Sequence, residues 1–443
     1  MKKKVLLLGA GLVSRPLVQY LLDNDFYMII ATRTVSKADA LLAGHPNGRT
    51  LPLDLTDPAG LDALIEESDL VISLVPYTFH VQIARRCLEL VKPLVTTSYV
   101  SNEMRELTEE AKAKGLLFLN EIGLDPGIDH MSAMRIIHEV QNKGGKIVSF
   151  RSCCGGLPAP EVNDNPWGYK FSWSPRGVLL AGRNPAQFRE GGKVRDIASE
   201  DLFGTVWPMT VGELPALENY PNRDSLGYDG IYGLHEAKTM FRGTIRYAGW
   251  CAKMKALTDL GWTRLDPPPS DATSLGQMTQ FLCGKGTESM TEQQRVEMVC
   301  DRLGLDPAGD VIARIKWAGL LSDEPVPAAA GTILDVLGDV LQVKLAYAEG
   351  ERDMIVLVHE FVSQTAEGKE QRITSTLVDF GVPGGDSAMS RTVSLPAAIA
   401  TRLILEGKID ASGVRVPVDP KIYNPVLDEL ENLGIECKEV WHD

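Results

Sequence analysis

Along the first 120 residues, short apolar runs alternate with segments whose apolar positions recur at helical spacing. The runs at 5–8, 27–31, 50–53, 70–74, 93–96 and 116–119 predict strands. Between them, 16–22, 36–42, 58–67, 79–90 and 102–114 predict helices. Asp57 and Pro58 supply a cap followed by proline at the first helical position, where its missing N–H costs nothing. Alternation of this kind makes an α/β fold with a doubly wound parallel sheet. Its ligand crevice lies at the carboxyl ends of the strands.

Further along, 146–153 predicts a strand that runs into Cys154 and the glycines and prolines after it. From Asn165 to Gly177 prolines, glycines and aromatics crowd together, a density that predicts a shaped loop wall around a ligand. Segments 220–225 and 242–247 predict exposed cations at Arg223, Arg242 and Arg246. Residues from about 248 to 347 read as helical, with segments at 254–260, 292–303 and 332–346. Then 354–362 and 371–380 predict a β-hairpin. Residues 381–387 read as a flexible re-entry turn rather than a second anion loop, ahead of an apolar helix at about 391–405.

The loops at the strand ends carry the unusual residues. The first is Gly9-Ala10-Gly11-Leu12-Val13-Ser14, the dinucleotide fingerprint with Ser14 where a third glycine usually stands. Gly9 permits a tight turn, Gly11 admits a pyrophosphate, and the helix N-terminus stabilises its charge. An NAD enzyme offers a carboxylate at the end of the second strand, whereas here the residues are Arg33 and Thr34. Arg33 suits a 2′-phosphate, so NADP is the expected cofactor. Asp54 and Leu55 follow the third strand, beside an adenine or as a turn cap. Val75, Pro76 and Tyr77 would border the nicotinamide half, and Ser98 and Tyr99 add hydroxyls after the fifth strand. Beyond the sixth, 120–130 holds three acids and a histidine among glycine and proline, more than a connector needs.

Composition narrows the field. The 443 residues carry 45 Lys+Arg against 59 Asp+Glu, a net charge of −14 that disfavours nucleic acid and anionic lipid. Seven cysteines without CxxC pairs suit a reducing compartment. No apolar stretch is long enough to span a bilayer, and a cytoplasmic protein is expected. The histidines lack metal-ligand spacing, so no metal is expected. Cys153 and Cys154 would point to opposite faces of a strand, so only one of them can line a pocket.

The segments at 75–80, 95–100, 120–130 (with LDPGIDH at 124–130) and 154–161 (CGGLPAPE) together resemble the saccharopine reductase family. These are the NADP-dependent, glutamate-forming saccharopine dehydrogenases of the α-aminoadipate lysine pathway. The likeness runs on through 165–166, 168–174, 220–225, 242–244, 349–353 and 434–437. It implies three domains: a Rossmann-type dinucleotide-binding domain of 1–127 plus about 387–443, an α/β substrate domain of 128–247 plus about 348–386, and an inserted helical domain of 248–347. It implies cofactor contacts at Ala10, Gly11, Leu12, Val13, Arg33, Thr34, Asp54, Leu55, Val75, Pro76, Tyr77, Leu124, Asp125, Pro126 and Ser174. Saccharopine contacts would fall at Ser98, Tyr99, Asp125, Cys154, Arg223 and Thr244. His235 departs from the pattern and is given no role.

The implied partners are saccharopine, glutamate and aminoadipate semialdehyde, and a homodimer is left open. On that resemblance, glutamate's amine would attack the aldehyde, water would leave, and NADPH would reduce the imine. Hydride transfer asks for orientation, whereas loss of water asks for a proton donor. Asp125 is the candidate for that role by chain position, with anchoring of the substrate amine as the alternative. Two other readings stay open: an imine reductase of the carboxynorspermidine or homospermidine type, and a non-catalytic NADP-binding regulator.

Overall fold

A computed structural model describes residues 2–328 and 330–442. The chain forms two units, one of Met1–Val148, Ile231–Gly233 and Leu357–Asp443, the other of Ser149–Gly230 and Leu234–Val356.

In the first unit the six expected strands are β1 (Lys4–Leu8), β2 (Tyr27–Thr32), β3 (Gly48–Pro52), β4 (Leu70–Ser73), β5 (Leu94–Thr96) and β6 (Leu117–Leu119). A seventh strand that the apolar pattern does not mark, Gly413–Arg415, runs parallel beside β6. The sheet order is therefore Gly413–Arg415, β6, β5, β4, β1, β2, β3, with every pairing parallel. Residues 5–8 of β1 and 70–72 of β4 are unbroken apolar runs because a doubly wound sheet is covered on both faces. Val5, Leu6, Leu7 and Leu8 are all fully buried. The chain lays β2 and β3 on one side of β1, and β4 to β6 on the other. That reversal puts the switch point between β1 and β4.

Helix α1 (Arg15–Asp23) follows β1, starts with Pro16 in its first turn and buries Leu17, Val18 and Leu21. A later helix, Ala388–Leu405, packs on it, with Arg402 Nε donating to Tyr20 Oη at 2.7 Å. Ser387 caps that helix by accepting from the Ser390 N–H at 3.0 Å, and residues 382–386 make the tight turn before it. The helix expected over 102–114 is two short ones, Asn102–Arg105 and Thr108–Ala113. Thr108 explains the break, since its hydroxyl donates back to the Arg105 carbonyl at 2.6 Å. The hairpin strands are Asp353–Gln364 and Glu370–Phe380, and the second pairs antiparallel with Lys438–His442.

The second unit holds most of the strand Lys146–Pro158, parallel to Thr239–Tyr247, which is antiparallel to Leu217–Pro221. The first of these continues five residues beyond the expected end at 153, through glycines that composition alone marks as loop. A Cβ on Gly155 would fall 2.4 Å from the Ile245 carbonyl oxygen, so glycine lets two backbones meet here. The helices are Trp250–Leu260, Leu275–Leu282, Glu292–Leu303, Asp310–Trp317 and Ile333–Lys344. Thr291 and Gln294 form a capping box at one start, and Gly304 closes that helix with φ +66°. Trp167, Tyr169 and Phe171 belong to this unit's core with Trp250, Trp262 and Leu337. The aromatic stretch expected as a ligand wall is thus largely interior packing. Among the described residues, no helix is long and apolar enough to cross a membrane.

Candidate active site

The turn after β1 is pinned to its neighbours. The Gly9 N–H donates to the Ala31 carbonyl at 3.0 Å, and the Leu74 N–H to the Leu8 carbonyl at 2.9 Å. Gly9 has φ +107°, and a Cβ there would sit 3.0 Å from the Leu74 oxygen, so this position requires glycine. A Cβ on Gly11 would meet nothing within 4 Å. The space above Gly11 is open, as the approach of a diphosphate requires. Ser14, fully buried, accepts from the Gly11 N–H at 3.1 Å and ties the loop to the start of α1. A third glycine could not make that bond.

Arg33 and Thr34 are exposed at the end of β2. Asp54, after β3, accepts from the Thr56 N–H at 2.9 Å and the Thr56 hydroxyl at 2.8 Å. The Thr56 donors hold its carboxyl below the usual range, and Arg33 adds to the effect. Asp54 is therefore a turn cap that also lies within the field of Arg33. Tyr77 is 72% exposed and Leu12 71%, large apolar surfaces beside the switch point. Val75 is half-buried between them in the chain.

His80, which the spacing argument passed over, is buried at the start of its helix. Its Nδ1 is hydrogen-bonded to Ser73 Oγ at 2.8 Å, and its Nε2 to Ser98 Oγ at 2.8 Å and Thr96 Oγ1 at 3.3 Å. Burial pushes this imidazole down to about 4. Its folded value thus lies below the ordinary one near 6.5, and between these limits the unfolded chain binds more protons. The contribution to stability is complete above pH 6.5 and is lost as pH falls toward 4, by on the order of 3 kcal/mol. Denaturant unfolding of wild type and His80→Gln across that window should give diverging curves, the wild type falling more steeply. Parallel curves would mean that the ring titrates normally.

The loop after β6 closes on itself. The Gly123 N–H donates to the Pro126 carbonyl at 2.9 Å and the Gly127 N–H to Asp129 Oδ1 at 2.6 Å. It holds Leu124, Asp125 and Pro126, and Asp125 Oδ1 accepts from the Tyr99 hydroxyl at 2.9 Å. Glu121, also buried, accepts from the Val100 N–H at 2.9 Å and meets His130 Nε2 at 2.8 Å, while His130 Nδ1 meets the Tyr232 hydroxyl. Asp129 Oδ2 also lies 3.8 Å from His130 Nδ1, so the two buried acids of the loop flank one imidazole, while Asp125 is partly accessible.

In the second unit, strand register brings Thr244 opposite both Cys154 and Tyr220. Cys154 is 7% exposed, and its neighbour Cys153 pairs with Gly243. Tyr220 is pushed up to about 12, first by burial, and is hydrogen-bonded to Thr244. Two residues on along the same face stands Arg246, 6% exposed. Its Nη1 donates to the Ile245 carbonyl at 2.7 Å and its guanidinium lies 5.0 Å from the Tyr169 ring centre. Its Nε has no acceptor among the described residues, and Glu218, opposite it in the strand register, accepts instead from the Gly249 and Cys251 N–H groups at 2.9 and 2.7 Å. Arg242 is 2% exposed and lies over the Tyr228 ring. Both arginines were expected at the surface, but they sit in a strand paired on both sides. Arg223 is exposed, in a left-handed conformation with φ +53°. Ser174 caps the helix Pro175–Ala181, accepting from the Gly177 N–H at 3.1 Å.

A seven-stranded parallel sheet with a Gly-x-Gly turn at its switch point defines a Rossmann-type dinucleotide-binding oxidoreductase fold. Family models for the saccharopine dehydrogenase NADP binding domain and C-terminal domain match residues 5–119 and 123–435. The chain belongs to the saccharopine dehydrogenase family. It is 42% identical to the NADP+, L-glutamate-forming saccharopine dehydrogenase of Pyricularia oryzae over 99% of this chain and 98% of that protein. It is 35% identical to the alpha-aminoadipic semialdehyde synthase of Arabidopsis thaliana, over 99% of this chain but 45% of that protein. Among solved structures, apo saccharopine dehydrogenase (L-Glu forming) from Saccharomyces cerevisiae matches with a TM-score of 0.90 and 40% identity, over 100% of both chains.

Proposed function

We propose that the protein catalyses the NADP-dependent interconversion of saccharopine with L-glutamate and L-2-aminoadipate 6-semialdehyde. Whole-chain relatives named for that activity, at 41% and 42% identity, support it. The structural observation that carries the substrate reading is Arg246, a buried cation without an acidic partner among the described residues. Saccharopine brings three carboxylates, and one of them can satisfy that guanidinium through two parallel bonds. A simple polyamine has no carboxylate to place there, a carboxylated one has a single carboxylate where saccharopine has three, and a cofactor-binding regulator has no use for such a residue.

Bound NADP would supply the hydride acceptor for oxidation and, as NADPH, the hydride donor for reduction. The chain's own residues bind and orient. The open face of Gly11, with Ala10, Leu12 and Val13, fits the diphosphate, and Arg33 fits the 2′-phosphate. Asp54, Leu55, Val75 to Tyr77 and the Leu124–Pro126 segment extend that surface. Ser174 spends one lone pair on its helix cap and keeps its proton for a cofactor oxygen. Asp125 Oδ1 accepts a hydrogen bond from the Tyr99 hydroxyl, which fixes the orientation of the carboxylate. We therefore place it on the secondary amine of saccharopine, taking the amine proton in oxidation and returning it in reduction. Ser98, Cys154, Arg223 and Thr244 complete the substrate contacts. We also propose 248–347 as a helical domain, since among the described residues no strand lies between Thr239–Tyr247 and Asp353–Gln364.

The reading is tested by NADP reduction with saccharopine, beside carboxylated and simple polyamines. Turnover with a polyamine alone would overturn it. Arg33→Asp should weaken NADPH binding by roughly 1.5–3 kcal/mol, the scale of a hydrogen bond to a charged group, and leave NADH binding unchanged or improved. Equal affinity of the wild type for both cofactors would remove that argument.

A further inference from the structure

Four side chains form a continuous hydrogen-bonded row at the carboxyl ends of β4 and β5: Ser73, His80, Thr96 and Ser98. We infer that His80 is a positioning residue for the substrate, fixing the Ser98 hydroxyl in one rotamer and so setting the bond that Ser98 offers to saccharopine. This rests on the proposed reading of Ser98 as a substrate contact.

The ring is held from both strands at once. Ser73 and Thr96 are fully buried and stand opposite each other in the pairing of β4 with β5. Ser73 Oγ meets Nδ1, while Ser98 Oγ meets Nε2, both at 2.8 Å. The Ser98 N–H donates to Thr96 Oγ1 at 3.3 Å, which fixes its backbone as well. With its basicity depressed by burial, the imidazole is neutral near pH 7 and has one donor and one acceptor. In either tautomer, the ring occupies one function of the Ser98 hydroxyl and leaves the other for the ligand. If Nδ1 carries the proton, Ser98 donates to the ring and presents lone pairs to an ammonium. If Nε2 carries it, Ser98 accepts from the ring and its own proton goes to a carboxylate. A rotor fixed before binding loses no freedom on binding, which strengthens the contact it makes.

The test exploits the different reach of two amides. Gln at position 80 can place its terminal amide where Nε2 lies and keep Ser98 engaged, whereas Asn reaches only the Nδ1 position. Steady-state kinetics would compare wild type, His80→Gln, His80→Asn, Ser98→Ala, and the double variants of Ser98→Ala with each. Ser98→Ala and His80→Asn should each raise KM for saccharopine by about five- to tenfold, the loss of one hydrogen bond, with KM for NADP within about twofold. The His80→Asn/Ser98→Ala double variant should be no worse than either single, and His80→Gln should recover most of the loss. The positioning role is overturned if Ser98→Ala raises KM but folded His80→Asn does not, or if the two factors multiply in the double variant. If Ser98→Ala keeps the wild-type KM, the reading of Ser98 itself falls and the inference goes with it. Should His80→Asn fail to fold, the ring 15N resonances of His80 in the wild type decide. They must shift when saccharopine is added to the NADPH-loaded protein, a pairing that cannot react, and fixed resonances under saturation would overturn the role.

Discussion

Arg246→Met is expected to lower kcat/KM for saccharopine by roughly 100-fold or more while leaving the folded protein at least as stable as wild type. Two charge-assisted hydrogen bonds to a carboxylate are lost, each of about 1.5–3 kcal/mol, and about 1.4 kcal/mol corresponds to a factor of ten. Methionine keeps the apolar stem that lies among Tyr169, Tyr220 and Trp250. It also removes a buried cation that forms no ion pair among the described residues, and Glu218 opposite it keeps its two backbone donors, which is why stability should not fall. That combination separates substrate recognition from packing, since a merely structural arginine would lose stability first. Arg223→Ala, by contrast, removes an exposed charge and should raise KM by only about fivefold, the scale of about 1 kcal/mol. Wild-type kinetics with a lowered melting temperature for Arg246→Met would refute the assignment of this residue to substrate.

The second large effect is structural. Gly127→Ala should cost on the order of 4 kcal/mol or prevent folding, because the new Cβ would lie 2.0 Å from the Gly123 carbonyl oxygen. Both atoms belong to one closed loop, in which the Ile128 N–H also donates to that Gly123 oxygen at 2.9 Å. No rotamer change can relieve such a clash. Gly11→Ala is the control, since its Cβ meets nothing within 4 Å and the apoprotein should keep its stability. An unfolding midpoint for Gly127→Ala close to that of wild type would show that the loop has a second arrangement.

The sheet that places the cofactor loop was legible because its strands are long in apolar character relative to their neighbours, and each helix between them is marked by period or cap. Gly413–Arg415 was not legible. Three residues with one arginine carry no pattern, and only the open edge of β6 gives them a partner. Cys154 to Pro158 failed for the opposite reason: Gly155 and Gly156 suggest a loop, but Gly155 is needed for backbone contact inside a sheet. The burial of Arg242 and Arg246 is not legible in the sequence because arginine is ordinarily exposed, and it becomes visible only once register shows their strand paired on both sides. His80 went unnoticed because its partners lie 7, 16 and 18 residues away, at the ends of two different strands. Asp125, Tyr99 and Cys154 were reached through family motifs rather than through spacing.

The late origin of Gly413–Arg415 bears on synthesis at the ribosome. A nascent chain that has emerged as far as β6 leaves that strand's outer edge bare, and the helix Ala388–Leu405 that covers α1 has not yet been made. Almost three hundred residues separate β6 from its last partner, and the whole second unit is translated in between. An unpaired edge is a template for pairing with another chain, so the sheet stays exposed to misassembly for most of translation. Slow elongation through the second unit would therefore favour aggregation, and a holdase that shields β6 until the last residues arrive would raise the yield of native protein.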